Sequence, residues 1–532
     1  MAETVQQLLR ERVDDDSRGV LHGDRTWTWR EHLAEASAEA AALIGLLEQE
    51  RPPHVGVLLG NTPDMLRAMA AAGLGGYVLC GINTTRRGAG LAADVRRAEC
   101  QVLVTDAEHR HLLEGVDLAG VRVLDTSSPE WADLLASAGD LTPLREVGAM
   151  DTFMMIFTSG TSGDPKAVQV AHLMVLFAGL TLVDKYAVTA EDVCYLSMPL
   201  FHSNAVLAGW SVAISSGAAM APARFSASHF LDDVRRYGVT YMNYVGKPLA
   251  YVLATPEQPD DADNPLRVAF GNEAADRDIE EFGRRFGCTV WDGFGSTENA
   301  VIITREEGTP AGSIGKGFEG VAIYDPETVS ECAVAVFDET GALSNADQAV
   351  GELVNTQGAG YFSGYYNDQE ANDHRMRHGM YWSGDLAYRD ADGWIYLAGR
   401  TADWMRVDGE NIAAAPVERI LMRLGSVNRV AVYAVPDPRV GDQVMAAVVL
   451  QDDATLAPDE LESFLADQQD LSPKAWPRFV RIARDLPSTA TNKVLKRELV
   501  AQGATAAEGE ELWVREERGT SYGSSAEVSS PV

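Results

Sequence analysis

Apolar runs and helical stretches alternate through the first 150 residues. Val55-Gly56-Val57-Leu58-Leu59 is a continuous apolar run, short enough for a buried strand, and the Ala-rich stretch from Asp64 to Gly73 predicts a helix. Val102-Leu103-Val104 and Val121-Arg122-Val123-Leu124 predict further strands, as does Phe153 to Phe157. Strand and helix in alternation argue for a parallel α/β sheet. The pattern changes near Arg400. Val417, Ile420, Leu421 and Leu424 then fall at helical spacing, with Pro416 at the start and Gly425 at the end. Strand-like runs follow at 430–435 and 444–450, then a helix with Leu461, Phe464 and Leu465 on one face, then a strand at 479–483. The expected organisation is a large α/β domain over residues 1–399 and a small α+β domain over 400–510. A tail at 511–532 is expected to be partly disordered, Ser-rich from Ser524 to Val532.

With 46% hydrophobic residues in 532, the chain can fill large cores. Its formal charge of -34 argues against a nucleic-acid partner, because phosphate binding needs clustered Lys and Arg. The same charge disfavours adhesion to an anionic membrane. Cys80, Cys100, Cys194, Cys288 and Cys332 are scattered and never form CxxC, which favours a reducing, cytoplasmic location over a disulfide or zinc framework. The amino terminus lacks the basic start and apolar core of a secretory signal. Asn204 to Ala223 carries no charge and is long enough to span a bilayer, but its Gly, Ser and Ala content and Pro222 read as buried core, with no integral membrane span.

Candidate chemistry concentrates in Phe157-Thr158-Ser159-Gly160-Thr161-Ser162-Gly163-Asp164-Pro165-Lys166. The strand before it feeds a loop whose small residues let backbone N–H groups approach phosphate oxygens. Its hydroxyls donate further bonds, and Lys166 supplies a point charge. The spacing differs from the GxxxxGK[ST] loop.

This string resembles the phosphate loop of the adenylate-forming superfamily, which includes acyl-CoA synthetases, luciferases and peptide-synthetase adenylation domains. Further motifs follow in that family's order: Pro199-Leu200-Phe201-His202, Trp291-Asp292-Gly293-Phe294-Gly295-Ser296-Thr297-Glu298, Tyr381-Trp382-Ser383-Gly384-Asp385, Gly399-Arg400 and Leu486 to Lys493. The resemblance spans nearly the whole chain. It implies a large N-terminal lobe of parallel and mixed sheets with helices, a small mobile α+β C-terminal lobe, and an active site between the two.

The chemistry implied is attack of a carboxylate on the α-phosphorus of ATP, giving an acyl-adenylate, followed by acyl transfer to coenzyme A. Such a reaction needs charge neutralisation around the phosphates. The resemblance assigns Thr158, Ser159, Gly160, Thr161, Ser162, Gly163 and Lys166 to the phosphates. Gly271, Asn272, Glu273, Asp292, Gly293, Phe294 and Gly295 go to the nucleotide, with Phe294 flat on adenine and Asp292 accepting from its amine. Thr297 donates to the α-phosphate, Glu298 holds Mg2+, Asp385 accepts from the ribose hydroxyls with Arg400 beside them, and Lys493 bridges carboxylate and phosphate. Lys496 is a nearby rival to Lys493. His202 lines the acyl or thiol path, and Trp404, Arg406 and Gly409 the coenzyme A path.

Phe225-Ser226-Ala227-Ser228-His229-Phe230, Tyr244-Val245-Gly246-Lys247 and Gly271-Asn272-Glu273 resemble the fatty-acid transport protein group, the very-long-chain acyl-CoA synthetases. That resemblance implies a bulky apolar acid, a long fatty acid or a sterol side chain, with Trp210, Tyr244, Val245 and Gly246 at the acyl pocket. The expected partners are small molecules; peripheral lipid contact and a homodimer stay open. Departures from the family pattern are Phe294 in place of the usual Tyr, Asn492 in place of Gly, and Ala402 at the hinge position. Two rival readings are a fatty acyl-AMP ligase that loads a carrier protein and a non-catalytic lipid-binding or uptake protein.

Overall fold

The computed structural model describes residues 2–158, 165–338, 343–400, 404–407, 410–437, 441–468, 471, 473–489, 494–515 and 519–524. Only the backbone is described at Arg400, Trp404, Arg406, Glu410, Asn411 and Gly441. The chain divides into two compact units, residues 1–302 with 358–378, and residues 303–357 with 379–532.

Thirteen strands build two sheets in the first unit: β1 (Arg18–His22), β2 (Arg25–Thr28), β3 (His54–Leu58), β4 (Val78–Gly81), β5 (Val102–Thr105), β6 (Arg122–Asp125), β7 (Thr152–Thr158), β8 (Lys166–Ala171), β9 (Val193–Leu196), β10 (Ala219–Pro222), β11 (Tyr241–Val245), β12 (Val268–Asn272) and β13 (Thr289–Gly293). One sheet has the order β6-β5-β3-β4-β7-β8, parallel except for β8; the other has the order β13-β12-β11-β9-β10-β1-β2, parallel except for β2. The early apolar runs thus form the parallel sheet that their pattern predicts. All five residues of β3 are buried, as expected of a strand covered on both faces.

The helix Pro63–Gly75 connects β3 to β4. Proline occupies its first turn, where the missing N–H costs nothing, and Gly76 ends it at φ 74°. Asn204 to Ala223 is core. It divides into the short helix Ser203–Ala205, one π-turn at Val206–Trp210, the helix Ser211–Ser216 and strand β10. No helix among the described residues is long and apolar enough to cross a membrane.

The second unit contains an antiparallel sheet built on Val321–Asp325, Gly351–Asn355, Met380–Arg389 and Ile395–Arg400. It also contains a mixed sheet that includes Val427–Asp437, Gly441–Leu450 and Phe479–Ile482. Two boundaries differ from the sequence pattern. The helix containing Val417 begins at Ala414, because Pro416 still falls within the first turn, whose N–H groups have no intrahelical partner. The mixed sheet also continues past residue 510 with Glu511–Arg515 and Tyr522–Ser524. Trp513 and Tyr522 supply the reason: both are buried in the core of that sheet. Compactness places 303–357 and 379–400 with the C-terminal residues. The helix Ala414–Leu421 packs on the strand Ile395–Arg400, where Arg419 Nη1 donates to Leu397 O at 3.0 Å.

Candidate active site

The carboxyl ends of β11, β12 and β13 lie side by side, which is the edge where open α/β sheets bind ligands. Tyr244, Gly271 and Asp292 are in register there, and so are Val245, Asn272 and Gly293. Gly271 has no room for a side chain, since a Cβ would stand 2.2 Å from Tyr244 O and 2.5 Å from its ring. The ring therefore lies across the strand, and its hydroxyl shares its one proton between Asp292 Oδ2 at 3.1 Å and Trp291 O at 3.0 Å. Ala274 N also donates to Asp292 Oδ2, at 3.0 Å. A buried carboxylate is thereby held at the turn that leads to Phe294.

Asn272 is the end of a directional chain. Its Nδ2 donates to Gly293 O at 2.7 Å, and its Oδ1 accepts from Asn204 Nδ2 at 3.1 Å. Asn204 Oδ1 in turn accepts from Asn243 Nδ2 at 2.7 Å. The carbonyl of Gly293 can only accept, so it fixes the orientation of all three amides. Glu273 leaves β12 with φ 65°, a conformation that non-glycine residues avoid and that clusters at functional turns. Phe294 is half-buried and Gly295 exposed beyond it.

Thr297 and Glu298 follow on the next loop. Thr297 Oγ1 shares a hydrogen bond with Ser203 Oγ at 2.9 Å. Glu298 is buried, and its Oε1 accepts from the Tyr365 hydroxyl at 2.7 Å. Thr158 and Lys166 face each other across β7 and β8, while Ser159, Gly160, Thr161, Ser162 and Gly163 lie outside the described residues. Lys166 Nζ sits 5.1 Å from the centre of the Tyr365 ring.

Among the described residues no group of three or more His, Cys, Asp or Glu could hold a metal. Glu298 alone suits magnesium, which is commonly bound by one or two carboxylates together with substrate phosphates and water. A zinc-like cage is not what these side chains offer.

His202 is a neutral side chain at ordinary pH, because burial pulls its imidazole down to about 4. Its Nε2 is buried and finds no partner in the described structure. Two residues expected at the acyl pocket do not come together. Trp210 is fully buried and stacks on Phe153 at 5.3 Å in the core on one face of the β11 sheet. Tyr244 is buried among Phe230 and Phe282 on the other face, because successive residues of a strand point to opposite sides. Val245 is half-buried, and Gly246 turns at φ 68° while donating to Asn272 O at 2.8 Å.

In the second unit Asp385 and Arg400 are directly opposite in adjacent strands. Asp385 is buried, and its backbone N–H donates to Ser383 Oγ at 3.0 Å. Gly384 adopts φ 76°, and its N–H donates to the buried Glu352 at 2.7 Å. Trp404 and Arg406 lie on the strand Trp404–Val407; Gly409 and Lys493 lie outside the described residues. Lys496 is tied to Glu418, Nζ to Oε1 at 2.8 Å.

Tyr365, Ser203 and Glu352 are missing from the sequence-derived set. Tyr365 stands in the aromatic run from Tyr361 to Tyr366, whose density was the available signal, whereas nothing in the local pattern marks Ser203 or Glu352. A cavity of about 250 Å³ lined by His54, Val78, Arg145, Asp151, Thr152 and Tyr366 opens at the amino ends of β3, β4 and β7. That is the opposite edge of the sheet from Thr158, so the candidate chemistry is elsewhere.

The chain matches the AMP-binding enzyme family over residues 10–366 and the AMP-binding enzyme C-terminal domain over 416–493. A medium/long-chain-fatty-acid–CoA ligase, FadD17 of Mycobacterium marinum, is 52% identical over 512 residues, covering 96% of this chain and 98% of that protein. The steroid-22-oyl-CoA synthetase of Rhodococcus jostii is 46% identical over 505 residues, covering 94% and 91%. Among solved structures, ATP-bound MatB from Rhodopseudomonas palustris has the same fold, with a TM-score of 0.83 at 22% identity over 94% of this chain and 99% of that one. Matched over most of its length, the chain belongs to the AMP-binding enzyme family.

Proposed function

We propose that this protein is an ATP-dependent acyl-CoA ligase that activates a hydrophobic carboxylic acid as its acyl-adenylate. In the first step a carboxylate oxygen bonds to the α-phosphorus of ATP, and the bond to the β-phosphate bridging oxygen breaks, releasing pyrophosphate. In the second, the sulfur of coenzyme A bonds to the acyl carbon, and AMP leaves with the oxygen it gained. The observation that carries this reading is the clustering at one sheet edge of Asn272, Asp292, Thr297 and Glu298, with their side chains pre-oriented by Asn204, Tyr244, Ser203 and Tyr365. Preorganised donors and charges of this kind are what phosphoryl and adenylyl transfer require.

Within this reading Lys166 and the preceding loop contact the phosphates, Asp292 meets the adenine amine, Phe294 stacks on the ring and Thr297 donates to the α-phosphate. Glu298 would hold magnesium, which when bound neutralises phosphate charge. Asp385 and Arg400 serve the ribose, Lys493 the attacking carboxylate, and the segment after Arg400 the coenzyme A path and the hinge. The acyl group is proposed to lie along the face of β12 and β13 that carries Phe270 and Trp291, whose rings stand 5.5 and 6.2 Å from Tyr186. The neutral His202 adds no charge to that path.

The fatty-acid and steroid acid ligases among the relatives support a large apolar acid. Each buried methylene contributes about 0.8 kcal/mol to binding, so the specificity constant is expected to rise steeply from acetate to long-chain or steroid acids. A cytoplasmic location fits five cysteines that form no disulfide. The test is pyrophosphate release and thioester formation over a panel of acids, with and without coenzyme A. Preference for acetate or amino acids overturns the substrate class. Adenylation without thioester formation favours a carrier-protein acceptor, and no pyrophosphate with any acid removes the enzymatic reading.

A further inference from the structure

Tyr365 is 2% exposed and touches three charged side chains that the chemistry described so far does not connect. Its hydroxyl donates to Glu298 Oε1 at 2.7 Å and accepts from Arg375 Nε at 3.1 Å. Its ring carries Lys166 Nζ 5.1 Å from the centroid. The direction of the relay is fixed, because a guanidinium can only donate and a carboxylate only accept.

The backbone around Tyr365 is fastened as well. Tyr365 N donates to Asn372 Oδ1 at 2.7 Å, and Asn372 Nδ2 returns a bond to Tyr365 O at 3.0 Å. Gln169 N donates to Gly364 O at 3.0 Å, and Tyr366 N to Ala167 O at 2.8 Å. The segment is thereby laid along β8, directly after the phosphate loop.

We propose that Tyr365 is a positioning residue of the phosphate site, one that sets Glu298 for a divalent cation and holds Arg375 away from it. The physical reason is charge. A direct Arg375–Glu298 ion pair would cancel the carboxylate that a dication needs. A neutral phenol between them orients Glu298 and leaves its charge in place. The cation–π contact places Lys166 beside the same ring.

This inference rests on the proposed adenylation reading, and the experiment separates the two. Tyr365→Phe keeps the ring and removes the hydroxyl. Binding of ATP is measured by calorimetry with and without magnesium, alongside AMP binding without metal, the thermal midpoint and both half-reactions. Loss of a hydrogen-bonding partner of a metal ligand typically costs 10–100-fold in metal affinity. The expected result is an approximately ten-fold weaker magnesium-dependent enhancement of ATP binding and a matching rise in the magnesium needed for adenylation. AMP binding, the thermal midpoint and transfer from synthetic acyl-adenylate to coenzyme A should be unchanged. Unaltered magnesium dependence overturns the proposal, as does a lowered midpoint with equal loss in both half-reactions, which would make Tyr365 purely structural. Glu298→Gln is run beside it. If that variant keeps normal magnesium dependence, the assignment of Glu298 fails, and a wild-type protein that releases no pyrophosphate fails the functional reading itself.

Discussion

Ser203 and Thr297 lie 94 residues apart in the chain, yet their side-chain hydroxyls share a hydrogen bond of 2.9 Å. The next residue, Asn204, bonds Asn272, so the short helix after the Pro199–His202 motif braces the Asn272 and Thr297 segments at once. If Thr297 donates to the α-phosphate, Ser203 limits its rotamers before substrate arrives. Ser203→Ala is expected to slow adenylation about five-fold, the worth of one ordinary hydrogen bond. Thr297→Ala should slow it about 100-fold, as loss of a preorganised donor does. The double variant should be no slower than Thr297→Ala alone. Pyrophosphate release measures all three, and strictly additive losses would show that Ser203 does not act through Thr297.

Gly271→Ala tests the support of Asp292. The new Cβ would meet the carbonyl and ring of Tyr244 at 2.2 and 2.5 Å, so the ring must move and with it the hydroxyl that holds Asp292. Overpacking of this kind typically costs about 1–3 kcal/mol. A lower thermal midpoint and a raised KM for ATP are expected, the second through displacement of Asp292. An unchanged midpoint would mean that the strands separate freely at this point.

Lys493→Ala is expected to block acyl-adenylate formation and to leave transfer from a synthetic acyl-adenylate to coenzyme A largely intact, since it removes charge where negative charge develops. Lys496 is occupied by Glu418. Lys496→Ala should therefore lower stability without separating the half-reactions. Equal loss of both half-reactions in Lys493→Ala would count against its catalytic assignment.

Stability should fall in mild acid. Burial depresses the imidazoles of His32, His172 and His202 from 6.5 to about 3, 4 and 4. The unfolded chain therefore takes up protons first, and the stabilisation present above pH 6.5 is lost as pH falls toward 4. Glu39 works the other way. Burial lifts it to about 7, so its protonation favours the folded state as pH falls from about 7 toward 4.5. Three histidines outweigh one carboxyl, and urea midpoints at pH 7 and pH 5 should show the net loss. His172→Gln should make that loss shallower, and an unchanged slope would remove His172 from the account.

The sequence alone marked early strands of the first unit and the motifs from which the candidate site is drawn. Val55–Leu59, Val102–Val104 and Phe153–Phe157 are short apolar runs bounded by polar, Gly or Pro residues, a pattern that local physics already reads as buried strands. The site was legible for a related reason: Phe157 to Lys166 and Trp291 to Glu298 each keep their small, hydroxylated and charged residues consecutive on one stretch of chain. Tertiary structure decided what supports them. Ser203 meets Thr297, Tyr365 meets Glu298 and Glu352 meets Gly384 only because distant strands and turns are brought side by side. It also separated Trp210 from Tyr244, since a neighbouring place in an apolar list does not say which face of a strand a side chain takes. Contacts between distant residues leave no local period or spacing in the chain, and the mutual register of β11, β12 and β13 is a property of the sheet rather than of any one strand.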